Sequence, residues 1–484
     1  MPAISGKEYI KRMNQMNPEI WIKGERAAMP LSEHPAYSGA MKTKAGLYDL
    51  QLHPEKIEKM TFETKPGHLA GLSYLRPETK EDLAKRREMM TEWALATCGM
   101  MGRTPDYMNT ALMSLAASAD LLKDQDDEFA KNLVRFYEKA RDSDLSFTHS
   151  FMNPQTNRSS FYDEETDKPI AAKIIKKTSE GLVIQGARLL ATQGGMTDEV
   201  LIFPSAGKFT DEEYAYAFSI PSNTKGLSFI CRESFHEGDS RFNYPLSSRF
   251  DEMDALLVFN EVTVPWERVF FYHRQDLAQK LFQQSCFIPQ ALHQTVNRQL
   301  VKSQFLLGLS QLLVQTLNVS EYQHIQSKIS EVIIGVESTQ AMLEKAENDA
   351  VQDNWGTMRP STHPLYSAVC QFSSLYPRYI EILQLIGAGG YMSLPGEEDF
   401  SSPVSDSLDD YLASAAYDAR SRTKIFRLAW DTAMSSFGTR QTQYERFFFG
   451  DPVRLSSNLY WNYPREEYLS RVKQFLNLKD PFSM

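Results

Sequence analysis

The feature that most limits what this chain can fold into is a change of period along it. From Glu81 to about Ala140, apolar residues recur every three or four positions, with Leu112, Leu115, Ala116, Ala119 and Leu122 on one stripe. That is the spacing of helices with one buried face. Pro105 can open a helix there, with Thr104 as its cap and Asp106 in its first turn. From about Phe147 to Tyr272 the period vanishes. Short β-rich runs (173–175, 182–184, 199–203, 214–220, 227–230, 255–259 and 269–272) follow one another, parted by Gly, Pro, Asn and Asp turns. Runs this close leave no room for crossover helices, so they predict an antiparallel sheet or small barrel and exclude βαβ units. From Gln275 helices return. The stretch 305–317 reads as a core helix, and Ile325, Ile329, Val332, Val336 and Leu343 trace one face of a second, with 396–406 as an exposed loop. The reading is an α+β chain: a helical domain over 1–146, a β domain over 147–272 and a helical bundle over 273–484.

Charge narrows the partners. The chain's 484 residues include 62 acidic and 52 basic ones, a net charge of −10. Nucleic acid and anionic membrane need a positive surface, so neither is an expected partner. The four cysteines (Cys98, Cys231, Cys286, Cys370) lie far apart without a CxxC pair, which predicts free thiols and a reducing compartment. The first residues lack an apolar signal core, and no apolar run approaches ~20 residues. A cytoplasmic protein is the expectation.

Familiar catalytic motifs are missing. There is no HExxH, GxSxG or GxxxxGK[ST], and the nine histidines never fall at metal-binding helical spacing. His236 to Asp239 reads as a turn. Gly387, Gly389 and Gly390 tempt a dinucleotide reading, but Met392 stands where the third glycine belongs and the residues before them look helical. Either a tight interhelical turn or a close approach to a ligand remains open there.

Several longer blocks are more specific. These are 101–109 (MGRTPDYMN), 148–158 (THSFMNPQTNR), 186–192 (GARLLAT), 293–295 (HQT), 385–390 (LIGAGG) and 444–453 (YERFFFGDPV). In this order they resemble the oxygenase family of 4-hydroxyphenylacetate 3-hydroxylase, and 249–270 resembles the end of the β domain in the acyl-CoA dehydrogenase fold. The resemblance implies that fold and a homotetramer. It also implies a monooxygenase that receives reduced FAD from a separate NAD(P)H:flavin reductase and uses O2 to hydroxylate a phenol beside its hydroxyl. No site metal is implied.

The resemblance also distributes roles. Arg103, Tyr107 and His149 would hold the phenol oxygen as catalytic and substrate-binding residues, with His149 also against the cofactor. A cation within ~4–6 Å lowers an acid's pKa by about 1–3 units, so Arg103 would favour the phenolate. A near-neutral His149 would accept the proton. Ser205 would meet the substrate's carboxylate, although Ala206 follows it where the resemblance leads one to expect Ser-Thr. Gln155, Thr156, Asn157, Arg158, Thr192, Gly450, Asp451, Pro452 and Val453 would contact the flavin, Thr192 through N5. Each has a plain structural alternative; Thr192 could be a surface threonine of a strand.

Three alternatives stay in view. One is a hydroxylase of another phenol, of the phenol or chlorophenol type. Another is a catalytically silent flavin-binding tetramer, at odds with intact Arg103, Tyr107 and His149. The third is the 4-hydroxybutyryl-CoA dehydratase branch, whose iron–sulfur cluster needs three cysteines and a histidine. Cys98 and His293 are present, but Gly102 and Leu300 stand at the other two positions, and one thiolate cannot hold a cluster.

Overall fold

The structure is a computed structural model, and it describes residues 3–154, 169–204, 211–235 and 240–478. The helical stripes become the helices Lys80–Ala96, Pro105–Ala117 and Asp127–Ser143. The first carries a full capping box between Thr79 and Asp82. The second begins at Pro105 as expected. Thr104 makes no capping bond to its backbone, however, because its hydroxyl turns to the Asp106 side chain.

Among the described residues, the middle strands form two sheets. One runs in the order Glu25–Arg26, Glu19–Ile22, Leu227–Cys231, Asp254–Pro265, Gly181–Thr192 and Lys173–Lys177. The other runs Val269–Tyr272, Tyr216–Pro221, Glu199–Ile202 and Phe147–Ser150. Most pairings are antiparallel, as the short connections require. Two are parallel: Glu19–Ile22 with Leu227–Cys231, and Phe147–Ser150 with Glu199–Ile202. Ile184, Phe229 and Leu257 from one sheet share a core with Val200, Ile202 and Phe218 from the other. Tyr9, Tyr37 and Met41 of the N-terminal helices Gly6–Met16 and Pro35–Gln51 close it.

The last region packs the helices Phe287–Leu317, Gln323–Asn348 and Thr362–Gly387 against one another. Phe287–Leu317 also lies on Lys80–Ala96 and Pro105–Ala117, so this long helix joins the two helical regions and underlies the site. The glycines at 387–390 make a tight turn. Tyr391 folds back over Gly387, where a Cβ would lie 2.2 Å from its ring, and its hydroxyl donates to the Leu383 carbonyl at 2.9 Å. The expected loop at 396–406 is partly helical, with a 3-10 turn over Glu398–Ser401 and the start of Ser405–Leu412, and none of it is buried.

Candidate active site

The structure brings Arg103, Tyr107 and His149 together. Arg103 stands immediately before the helix Pro105–Ala117, whose first turn carries Tyr107. His149 lies within the buried strand Phe147–Ser150, paired beside Leu201. The Arg103 guanidinium carbon sits 4.2 Å from the Tyr107 ring centre and 4.5 Å from that of Phe448. Tyr107 and His149 are both buried, with ring centres 5.9 Å apart. Among the described residues no carboxylate pairs with the Arg103 guanidinium; one of its terminal nitrogens donates to the Gly102 carbonyl at 3.2 Å. A cation held on aromatic faces in this way keeps its charge for an incoming anion.

His149 corrects one expectation. Burial, and after it the neighbouring Arg103 charge, holds its imidazole well below the ordinary value instead of near neutrality. The ring is therefore neutral at pH 7 and can accept a proton. Its Nδ1 and the Arg103 Nε are buried without a hydrogen bond among the described residues, as are the Tyr444 hydroxyl and the Asn153 amide. Orphaned polar atoms of this kind call for a polar ligand.

Thr192 ends the strand Gly181–Thr192 and is buried, so the reading as a surface threonine does not hold. Its hydroxyl donates to Asp254 Oδ1 at 2.9 Å. Asp254 also takes the Arg440 fork at 2.7 and 2.9 Å and Arg232 at 3.1 Å. Burial pushes the Asp254 carboxyl up, but Arg440 and Arg232 outweigh it and hold it at about 2, so it can only accept. The Thr192 proton is committed to it, and the oxygen's lone pairs remain for an N–H such as flavin N5–H. The Thr148 hydroxyl donates to the Thr192 carbonyl at 2.7 Å, tying this element to the strand of His149.

Gly450 to Val453 sit differently. Gly450 has φ +115°, and Asp451 caps the helix Pro452–Asn462 by accepting from the Val453 and Arg454 N–H groups, both at 3.0 Å. Those donors are already taken, and Val453 is exposed. Phe448, two residues earlier, and Tyr444 are the parts of this block that lie against Arg103. Gln155, Thr156, Asn157, Arg158 and Ser205 lie outside the described residues, as do His236 to Asp239.

The structure adds residues that the sequence reading missed. Phe448 and Tyr444 wall Arg103, and both stood in the 444–453 block without an assigned role. Gln193 and Glu252 grip the Arg103 backbone. Beyond His149 an apolar cage of Leu115, Phe151, Phe203, Leu281, Phe282 and Phe287 continues the site, with the Phe151 ring edge-on to His149 at 4.6 Å between ring centres. Gly102 needs to be glycine, because a Cβ there would lie 2.3 Å from the Tyr444 ring. A cysteine at this position would collide with Tyr444. His293 is buried and pairs with Glu347 at 2.7 Å. All four cysteines are free, and no metal-binding cluster occurs among the described residues.

Two family models match the chain: the N-terminal region of 4-hydroxyphenylacetate 3-hydroxylase over residues 5–271 and its C-terminal region over 278–477. The chain is 54% identical to a probable 4-hydroxyphenylacetate 3-monooxygenase of Bacillus subtilis (strain 168) over 99% of both chains. It superposes on the oxygenase component of a 4-hydroxyphenylacetate 3-monooxygenase, solved with FAD and 4-hydroxyphenylacetate, with a TM-score of 0.94, 42% identity and 98% of each chain covered. An archaeal 4-hydroxybutyryl-CoA dehydratase from N. maritimus, 19% identical, covers 100% of this chain and 96% of its own with a TM-score of 0.88, which reflects the shared fold alone.

Proposed function

The chain belongs to the 4-hydroxyphenylacetate 3-hydroxylase family, and from that premise we propose that it is the oxygenase component of a two-component, FAD-dependent aromatic monooxygenase. It converts 4-hydroxyphenylacetate to 3,4-dihydroxyphenylacetate with O2 and FAD reduced by a separate NAD(P)H:flavin reductase. The observation that carries this reading is the Arg103–Tyr107–His149 cluster, a guanidinium with no carboxylate partner among the described residues beside a neutral imidazole in an aromatic wall.

Each residue has a task that follows from its position. Arg103 stabilises the phenolate oxygen, and a ring carrying a phenolate is the easier one to oxidise. His149 takes the phenol proton while that oxygen is held. Tyr107 and Phe448 orient the guanidinium, and the apolar cage keeps water from the ring. Bound reduced FAD supplies the electrons and the oxygen activation. The residues present fit it: Thr192 offers lone pairs in a site with buried polar groups otherwise unmatched.

The test is direct. The protein is incubated with FAD, NADH and a generic flavin reductase, and para-substituted phenols are screened for catechol. Catechol from 4-hydroxyphenylacetate that requires the reductase is the expected result. Phenol-stimulated NADH oxidation by the protein alone would defeat the two-component assignment.

Thr192→Ala is expected to divert turnover toward hydrogen peroxide, because the lone pairs facing N5 are lost. Peroxide and catechol are measured per NADH consumed; an unchanged ratio removes Thr192 from the flavin.

The proposal extends to assembly and place. A homotetramer fits the large apolar side chains that the C-terminal helices leave in solvent, among them Trp461 (74% exposed) and Phe475 (86%). Light scattering decides it. Of the proposed division at 146/147 and 272/273, only the second boundary has support from the matched regions, which meet between 271 and 278. A cytoplasmic location fits four free thiols, and no described helix is long and apolar enough to cross a membrane.

A further inference from the structure

We infer that Glu252 is a positioning residue for the phenol site, a buried carboxylate that fixes the Arg103 backbone while leaving the Arg103 charge unspent. The inference rests on the reading of Arg103 as the phenolate's cation. Glu252 lies in the short link between the helical turn Ser247–Phe250 and the strand Asp254–Pro265, and it is fully buried. Its Oε2 accepts from the Gly102 N–H at 2.7 Å; its Oε1 accepts from the Arg103 N–H at 2.9 Å and from Gln193 Nε2 at 2.9 Å.

Gln193 completes the grip. The same Nε2 donates to the Arg103 carbonyl at 2.7 Å, so both backbone polar groups of Arg103 are held by one unit. Gln193 is itself held by two hydrogen bonds: its N–H donates to the Met253 carbonyl at 2.7 Å and its Oε1 accepts from the buried Lys44 Nζ at 2.7 Å, while its own φ is +65°. A non-glycine residue in the left-handed region is uncommon and persists where its surroundings over-determine it.

The choice of partner is the informative part. A carboxylate this close to an arginine could neutralise the guanidinium, and the phenolate would then have nothing to bind. Glu252 instead takes backbone N–H groups; the basic groups around it are Arg440, with a terminal nitrogen at 3.9 Å, Arg298, and Lys44 through Gln193, the last an amine that burial brings down to about 7. Arg440 also holds Asp254 and thereby Thr192, so one arginine links the phenol cation to the element proposed to face the flavin.

The test compares Glu252→Gln, Glu252→Asp and Gln193→Asn with wild type as intact, flavin-loaded protein. Glu252→Gln is isosteric, but it turns one acceptor oxygen into an NH2 that must face an N–H. A displacement of about 1 Å at a positioned group can cost ~100-fold, so kcat/KM for 4-hydroxyphenylacetate should fall by about that factor. The KM should rise, and catechol per NADH should drop. Calorimetric titration of 4-hydroxyphenylacetate into the protein should show weakened binding with unchanged FAD affinity. Glu252→Asp keeps both acceptors and should recover part of the loss. Gln193→Asn tolerates the left-handed backbone but cannot reach the Arg103 carbonyl, and should repeat the KM effect; the loss of its contact to buried Lys44 should also lower thermal stability, which a melting curve records separately.

Wild-type KM, affinity and coupling in folded Glu252→Gln overturn the assignment. If that variant fails to fold, wild-type values in Gln193→Asn overturn it instead. A wild-type protein that hydroxylates no phenol defeats the functional reading itself, which is a different outcome.

Discussion

Replacing His149 with alanine is expected to lower catechol formation by about 10²–10⁴-fold, the usual contribution of a positioned acid or base. The cause is local. His149 is a buried, neutral imidazole beside Arg103, the proposed base, and its Nδ1 has no hydrogen-bond partner among the described residues. His149→Asn restores part of the activity by keeping a polar contact without the base. Arg103→Ala additionally weakens substrate binding, and Arg103→Lys rescues only partly, because an ammonium lacks the planar fork that spans Tyr107 and Phe448. In both alanine variants reduced flavin still consumes oxygen, and most of that oxygen emerges as peroxide. Catechol per NADH consumed, with reductase in excess, is the measurement, and wild-type coupling in both variants places the phenol oxygen elsewhere.

The shift at His149 also sets a pH window. An imidazole held below its usual ~6.5 stays neutral as the pH falls through that value, so kcat/KM should remain flat across pH 6.5 and decline only at lower pH. An acid limb centred at or above 6.5 contradicts a buried, neutral base.

Glu445→Ala should be the most damaging change to stability, by about 3–5 kcal/mol. Glu445 is fully buried between Arg298, at 2.5 and 2.9 Å, and Lys302, at 2.8 Å. Removing it leaves two buried cations without their counter-ion, a larger penalty than the lost attraction alone. Replacing all three with apolar residues of similar size should be milder than the single change, since no bare charge remains. Burial pushes the Glu445 carboxyl up, but Arg298 and Lys302 outweigh it and bring it from its ordinary 4.5 to about 2. Its folded value is depressed, so its stabilisation is complete above pH 4.5 and is lost as the pH falls toward 2. Denaturant midpoints of the single and triple variants decide the matter; a single variant within about 1 kcal/mol of wild type sinks the argument.

What could be read from sequence divides along a physical line. Local signals were legible: Pro105 opens its helix, and the stripe through Ile325 and Leu343 is one face of Gln323–Asn348. Arg103, Tyr107 and His149 were found through their blocks, and the structure brings them into one cluster. Long-range pairing was not legible. Glu19–Ile22 is a strand because it lies beside Leu227–Cys231, and nothing local in four residues after a helix announces that. Gly181–Thr192 continues well past 182–184, since Gly186 and a shift of register interrupt the alternation that marks a strand. Glu252 and Gln193 belong to no motif. A carboxylate that binds the backbone of a residue about 150 positions earlier leaves no periodic trace.

The composition of the Arg103 pocket has a consequence for how the enzyme is made. Its parts come from positions 102–107, 149, 193, 252, 440 and 448, so nearly the whole message must be translated before they can meet. A nascent chain released from the ribosome only as far as residue 272 has the strands to close both sheets, but it lacks Arg440, Phe448 and the helix Phe287–Leu317 beneath them. Domains fold as their residues emerge, N-terminal first, and contacts between distant positions form last. The Arg103 pocket is therefore acquired late in synthesis, only after Phe448 has emerged, and a product truncated before it lacks the pocket's wall.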